Sequence, residues 1–304
     1  MILLQQMIAF MVFMMIGYYI RKKGILDDKG STGVAWIVAN LANPALILSG
    51  AVNAEQQLSA KEIGSMMALA ILLYAILIIL SFLIPFLLKV PQHQLGIYRN
   101  MILFSNVGFM GYPLLNSLKG PFSVLCASIF VIMFNVTFYT LGIWNFKRDH
   151  SDGTKTRFRD LLNTGTIACI VSLIINLSGV EINGAPRSVI TNLANLTTAL
   201  SMMSIGMFMI QVDFTTIWKD VRMLIFTAVK LLIIPMAVIS FFHLFVKDHI
   251  LMAVLTIFLA TPVASITAIM EKQYSDDNLL STKAVTLTTV ISVITIPLIY
   301  ELMN

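Results

Sequence analysis

Charge is what this sequence has least of. Asp, Glu, Lys and Arg make up 12% of its 304 residues, 58% are hydrophobic, and mean hydropathy is +0.88. A soluble domain of that length has no way to hide so much apolar surface, so its solvent is lipid. Cysteine is nearly absent. Cys126 and Cys169 each fall inside an apolar stretch and read as small core residues, which excludes a disulfide framework or a thiolate metal set. Acids are missing from the apolar stretches, which excludes the paired carboxylates that bind Na⁺ or a proton in cation antiporters. There is no Gly-x-x-x-x-Gly-Lys-Ser/Thr and no His-Glu-x-x-His, so neither ATP nor intramembrane metalloprotease chemistry is expected. An enzyme reading has no catalytic constellation, and no cofactor or metal is expected. The formal charge of +5 does not mark a nucleic-acid binder, because no soluble basic face exists. Residues 1–20 lack a basic n-region and a clear small-residue cleavage site, and read as a first membrane span.

What the chain does have is long apolar runs. They predict an all-α integral membrane protein with spans at 3–20, 33–53, 63–88, 99–118, 121–145, 161–178, 188–210, 223–246, 250–270 and 281–302. Fifteen of the 20 Lys and Arg fall in alternate connections: Arg21, Lys22, Lys23, Lys29, Lys89, Arg99, Lys147, Arg148, Lys155, Arg157, Arg159, Lys219, Arg222, Lys272 and Lys283. Lys61, Lys119, Arg187 and Lys247 are on the other face. The positive-inside rule makes the first group cytoplasmic and puts both termini outside the cell membrane.

Ten spans divide into two units, 1–150 and 151–304, joined by the basic loop 146–160. Five spans per unit is an odd number, so the second repeat is inverted. The tetrapeptide Asn-Leu-Ala-Asn occurs at Asn40–Asn43 and at Asn192–Asn195, and residues 40–50 match 192–202 at six of eleven positions. Pro85 and Pro235 correspond at nearly the same offset. Chance similarity between Ala-, Leu- and Asn-containing helices is the alternative.

Two spans are interrupted. Span four contains Ser105-Asn106-Val107-Gly108-Phe109-Met110-Gly111-Tyr112-Pro113, and span nine contains Ala260-Thr261-Pro262-Val263-Ala264-Ser265. Proline and glycine release backbone groups that hydrocarbon cannot satisfy, and paired interruptions in two halves point to a transporter binding site. Exposed helix N-terminal amides favour an anion such as a carboxylate. Asn106, Gly111, Pro113, Thr261, Pro262 and Ser265 are therefore candidate substrate-binding residues, joined by Asn135 in span five. The alternatives are ordinary proline kinks filled by neighbouring helices, and Asn side chains that bind helices and not ligand. Lys230, the one ionisable residue well inside a span, is a candidate ligand contact, or else it snorkels toward the cytoplasm or is buried neutral beside a carbonyl.

These residues resemble the auxin efflux carrier family of permeases. The run Asn106 to Leu115 is similar to that family's Asn-x-x-x-Met-Gly-x-Pro-Leu-Leu, and Pro262, Lys272 and Tyr274 to its Pro-x9-Lys-x-Tyr. Ser281-Thr282, Thr295-Ile-Pro297-Leu and the Asn40 to Gly50 helix also fit. The resemblance implies ten helices as a 5+5 inverted repeat, similar to the bile acid–sodium symporter architecture. Spans 1, 2, 6 and 7 would be a scaffold; spans 3–5 and 8–10 would be a transport domain whose crossed helices meet at Pro113 and Pro262 and move as an elevator. It implies a carboxylate bound at Asn106, Pro113, Pro262 and Asn135. Asn43 and Asn195 then become polar groups on the scaffold side, lining the opposite wall or binding neighbouring helices. The short 146–160 loop makes the chain more similar to prokaryotic malate or malonate permeases than to plant exporters.

The expected function is secondary transport of small organic anions (malate, malonate or auxin-like acids), with export possible. A sodium-coupled symporter of a larger amphipathic carboxylate, or a membrane sensor on a transport fold, is the alternative. The expected partners are the anion and the lipid bilayer; a coupling cation and a homodimer stay open.

Overall fold

Helices occupy every stretch expected to hold one, with ends that differ by a few residues. The computed structural model describes residues 2–148, 163–210, 220–274 and 280–303, and all of its regular structure is helical apart from one isolated β-bridge. In chain order the helices are α1 (Ile2–Lys22), α2 (Asp28–Val52), α3 (Ala60–Leu87), α4 (Leu95–Leu103), α5 (Tyr112–Lys119) and α6 (Pro121–Phe146). There follow α7 (Thr164–Ser178), α8 (Gly184–Met209), α9 (Val221–His243), α10 (His249–Ala260), α11 (Ser265–Tyr274) and α12 (Leu280–Met303). Six are long and apolar enough to cross a membrane: α1, α2, α3, α6, α9 and α12. The helices α7 and α10 are apolar but shorter. Large apolar side chains such as Leu4, Ile8, Met15, Ile79, Phe86, Leu87 and Ile294 stand exposed, as expected of helices whose outer face meets lipid. The chain is a multi-pass membrane protein.

Local chemistry explains where helices begin. Asp27 accepts from Gly30 N (2.7 Å) at the start of α2, while Arg21 at the end of α1 pairs with Asp28. Ser59 and Glu62 form a reciprocal capping box on α3. Asn163, Asp220 and Asp248 cap α7, α9 and α10 through Thr166 N, Met223 N and Leu251 N.

Three prolines follow wide turns, while Pro85 and Pro297 sit within the regular helices α3 and α12. Val38–Ala42 precedes Pro44, Val107–Gly111 precedes Pro113 and Val229–Ile233 precedes Pro235. In each, the amide just before the proline reaches five residues back, as in Asn43 N to Val38 O. A wide turn gives the missing N–H somewhere to fall without opening the ladder to hydrocarbon. A fourth such turn, Phe138–Gly142, has no proline.

The helices α1, α2, α7 and α8 pack extensively on one another. The closest approach is between α1 and α8, where a side chain on Gly17 would sit 2.0 Å from the Met203 carbonyl oxygen. One on Gly206 would sit 1.9 Å from that of Met14. Only glycine lets these backbones meet. A second group, α3, α4, α6, α9, α10 and α12, surrounds the two interruptions. Its core holds Tyr98 edge-on to Phe226 and Phe104 edge-on to Phe134 and Phe138.

The expectation that acids are absent from the spans needs one amendment. Glu271, one residue beyond the stretch expected for span nine, is fully buried in α11. Its carboxylate accepts from Leu280 N (3.2 Å) and Ser281 N (2.6 Å), answering the exposed amides at the start of α12. The loop 149–162, Lys219, and the side chains of Lys272 and Tyr274 lie outside the described residues.

Candidate functional site: the meeting of two broken helices

Two chain interruptions, more than 150 residues apart in sequence, hydrogen-bond to each other. The helix α4 ends at Leu103 and the chain runs extended through Phe104 to Asn106 before the turn Val107–Gly111 leads into α5. The helix α10 ends at Ala260, and Thr261 to Ala264 run extended before α11 begins at Ser265. Asn106 N donates to Pro262 O (2.8 Å) and Ala264 N donates to Phe104 O (2.9 Å), an antiparallel bridge pairing Ser105 with Val263. Val263 N donates to Thr288 Oγ1 (3.1 Å) on α12. Several of the backbone groups that the interruptions release are thus satisfied inside the protein, as a hydrocarbon environment demands.

This bridge fixes the direction of four half-helices. The amide ends of two of them, the 107–119 segment and α11, border one cavity of about 360 Å³. Its wall includes Ser105, Asn106, Gly108, Ala264, Ser265 and Ile266 from the interruptions. Aligned peptide dipoles place about half a positive charge at each such end. Asn106 leans across the gap, its Nδ2 3.4 Å from Ser265 Oγ. No group of His, Cys, Asp or Glu among the described residues is arranged to hold a metal ion.

The opposite wall belongs to α2, α6 and α7. Asn43 is buried against Gly108, and its Oδ1 has no hydrogen-bond partner. Asn40 lines the wall too, accepting from Thr164 Oγ1 (3.0 Å). Asn135 borders the cavity while its Nδ2 donates to Thr166 Oγ1 on α7 (2.9 Å). Phe109, Tyr112, Phe134 and Tyr139 supply aromatic surface.

The residues singled out by sequence divide into three sets. Asn106, Asn135, Ser265 and Asn43 meet around the cavity. Gly111, Pro113, Thr261 and Pro262 stand behind it. A side chain on Gly111 would come within 3.1 Å of Val107 Cγ1 and 3.6 Å of Ile257 Cγ2, so its role is close packing. Pro113 is buried at the second position of α5. Pro262 offers its carbonyl to the bridge, and the Thr261 hydroxyl turns back to Phe258 O (3.4 Å). Lys230 also stands behind the cavity. Its Nζ donates to Ile102 O and Ser105 Oγ, both at 2.9 Å, so one side chain separates it from the cavity wall.

Asn195 is exposed on α8 outside the cavity, as is its repeat partner Asn192, which bonds Ser188 Oγ (3.4 Å). The repeated tetrapeptide therefore has unlike surroundings in its two copies.

Sequence reasoning missed Asn163, Thr164 and Gly165, which bring the amide end of a third helix, α7, to the cavity mouth. The signal was present as an Asn-Thr-Gly-Thr start next to the basic loop, a helix-capping pattern. It was also silent on Ser105, which links Lys230 to the cavity.

A search of curated proteins finds no match to this chain. A family model described as membrane transport protein matches residues 2–300, nearly the whole length. With the resemblance in the interrupted helices and the apolar, multi-pass architecture, this places the chain in the auxin efflux carrier family of membrane transport proteins.

Proposed function

We propose that this protein is a permease for small organic anions, in which a carboxylate binds between the two half-helix amide ends at the Ser105–Val263 bridge. One observation carries the reading: two helix N-termini and the amides of Asn106 and Asn135 border a single cavity. Such ends bind anions by direct N–H donation and by dipole, with no need for a charged side chain. A cavity of about 360 Å³ falls in the range of small-molecule sites.

The mechanism follows from the packing groups. In this reading α1, α2, α7 and α8 are the scaffold, and the remaining helices carry the site as a transport domain. Counting α4 with α5 as one interrupted span, and α10 with α11 as another, gives ten spans in two inverted sets of five. The basic connections are cytoplasmic and both termini are extracytoplasmic. The cavity is bordered by the start of α7 and by Tyr139 near the end of α6, both next to the basic 146–160 loop. It therefore faces the cytoplasm. Sliding the transport domain along the scaffold would carry the bound anion outward. An inside-negative potential contributes about 2.3 kcal/mol per charge per 100 mV to export, so export needs no coupling ion. Malate- and malonate-sized acids are the proposed cargo.

The direct test is flux in proteoliposomes. Wild-type protein should release a loaded dicarboxylate faster when the potential is inside-negative. Asn106→Ala should cut that flux at least tenfold while the protein still purifies as a folded species. Flux at the wild-type level in Asn106→Ala would remove the site assignment.

A further inference from the structure

The first interruption has two ends of opposite polarity, and only one of them faces the cavity. The other, the last turn of α4, presents carbonyl oxygens that α5 cannot answer. A helix C-terminus carries about half a negative charge, and an orphan carbonyl in hydrocarbon is costly. Lys230 meets this end. It projects from the wide turn Val229–Ile233 of α9, is only 2% exposed, and places Nζ 2.9 Å from Ile102 O and 2.9 Å from Ser105 Oγ. Its partners are thus a carbonyl and a hydroxyl, and among the described residues its ammonium forms no ion pair with a carboxylate.

Among the described residues, the hydrogen bonds at the second interruption are made by neutral groups. Thr261 N donates to Ile257 O (3.0 Å), the Thr261 hydroxyl lies 3.4 Å from Phe258 O, and Thr288 receives Val263 N. The two breaks are therefore matched in backbone pairing and unlike in charge. Discontinuous membrane helices in many transporters hold a dissolved Na⁺ or proton with unwound carbonyls and half-helix C-terminal ends. Here a carbonyl and a hydroxyl of that kind are occupied by an ammonium that belongs to the chain.

We propose that Lys230 is the built-in cation of the first broken helix, a positioning residue that takes the place of a dissolved coupling ion. It neutralises the carbonyl end of α4 and orients Ser105, whose other side lines the cavity. It does so without touching the substrate. Movement of the anion then needs no Na⁺ at this position. The flux arm of this inference rests on the permease reading; the stability arm does not.

Two substitutions in the full-length protein test it. Lys230→Met keeps the length and removes the charge; it should lower Tm and reduce flux at least tenfold. Lys230→Ala opens space for a small ion. Its Tm should rise with added Na⁺, Li⁺, ammonium or methylammonium relative to choline, while wild-type Tm does not respond. Its flux should recover several-fold over the same concentrations. Wild-type flux should be equal in Na⁺, K⁺ and choline. Lys230→Met with wild-type Tm and flux, Lys230→Ala indifferent to every cation, or a wild-type Na⁺ requirement would each overturn the proposal. If no carboxylate moves through the wild-type protein, the permease reading fails, and the Tm comparison still decides the role of Lys230.

Discussion

At the scale of single residues, the site works by unlike treatment of four asparagines. Asn106 sits at the mouth of a broken helix, Asn135 reaches across to Thr166, Asn43 sets its Nδ2 against Gly108 and buries an unpartnered oxygen, and Asn195 stands outside the cavity. A buried amide oxygen without a partner costs about 1–3 kcal/mol, so Asn43 carries a local cost to stability at the cavity wall. The bond between Asn135 and Thr166 joins α6 to α7. Asn135→Leu and Thr166→Val should therefore be non-additive, with a coupling energy of about 1 kcal/mol in a double-mutant cycle read by thermal or denaturant unfolding. Strict additivity would mean the bond is idle. Asn106 and Ser265 were legible in sequence because each lies beside a proline or glycine that must break a helix in hydrocarbon. Lys230 was legible as an ionisable residue inside a span, with burial beside a carbonyl among its readings, but not which carbonyl, since distance along a helix says nothing about which neighbour a side chain faces. Asn43 and Asn195 illustrate the same limit. Identical tetrapeptides cannot reveal that only one copy meets a cavity.

At the scale of elements, glycine and proline divide the work. The pair Gly17 and Gly206 lets α1 and α8 touch backbone to backbone. Gly206→Leu should push the two helices apart and lower Tm by several degrees or abolish folding, whereas Gly33→Ala, with nothing within 4 Å of the added carbon, should leave the melting curve unchanged. A melt of Gly206→Leu that overlays wild type would show that the contact is not needed. Three of the four wide turns in the described residues precede a proline, whereas Pro85 and Pro297 sit in α3 and α12 without one. The fourth, Phe138–Gly142, sits where a side chain on Gly142 would come 2.9 Å from the Phe104 ring, so tertiary packing and not a local breaker accompanies it. That is why helix locations were readable from apolar runs and proline positions, while the shape of the helix across each break was not. Pairing of Ser105 with Val263 is a contact between distant segments, and no local pattern encodes it.

At the scale of the whole molecule, the proposed orientation rests on the distribution of Lys and Arg, and the side on which the cavity opens follows from it. With Cys126 and Cys169 both buried, background thiol labelling should be low. In intact cells a membrane-impermeant maleimide should label Gln56→Cys, in the connection between α2 and α3, and spare Lys23→Cys until the membrane is opened. The reverse pattern would invert the topology and turn the cavity outward. Family membership was legible through the resemblance of the interrupted motifs, while composition alone gave only a multi-span membrane protein. The substrate was not, because helix-end amides that can hold a carboxylate do not read the remainder of a molecule.

The central claim is that a carboxylate binds at the paired helix N-termini and crosses the membrane there. Counterflow of radiolabelled malate and malonate in proteoliposomes tests it most directly, with wild type, Asn106→Ala and protein-free vesicles compared under an imposed inside-negative potential. The account predicts saturable anion efflux by wild type, accelerated by the potential and reduced at least tenfold by Asn106→Ala. Carboxylate flux that is indifferent to Asn106, or no carboxylate flux at all from folded wild-type protein, would contradict it.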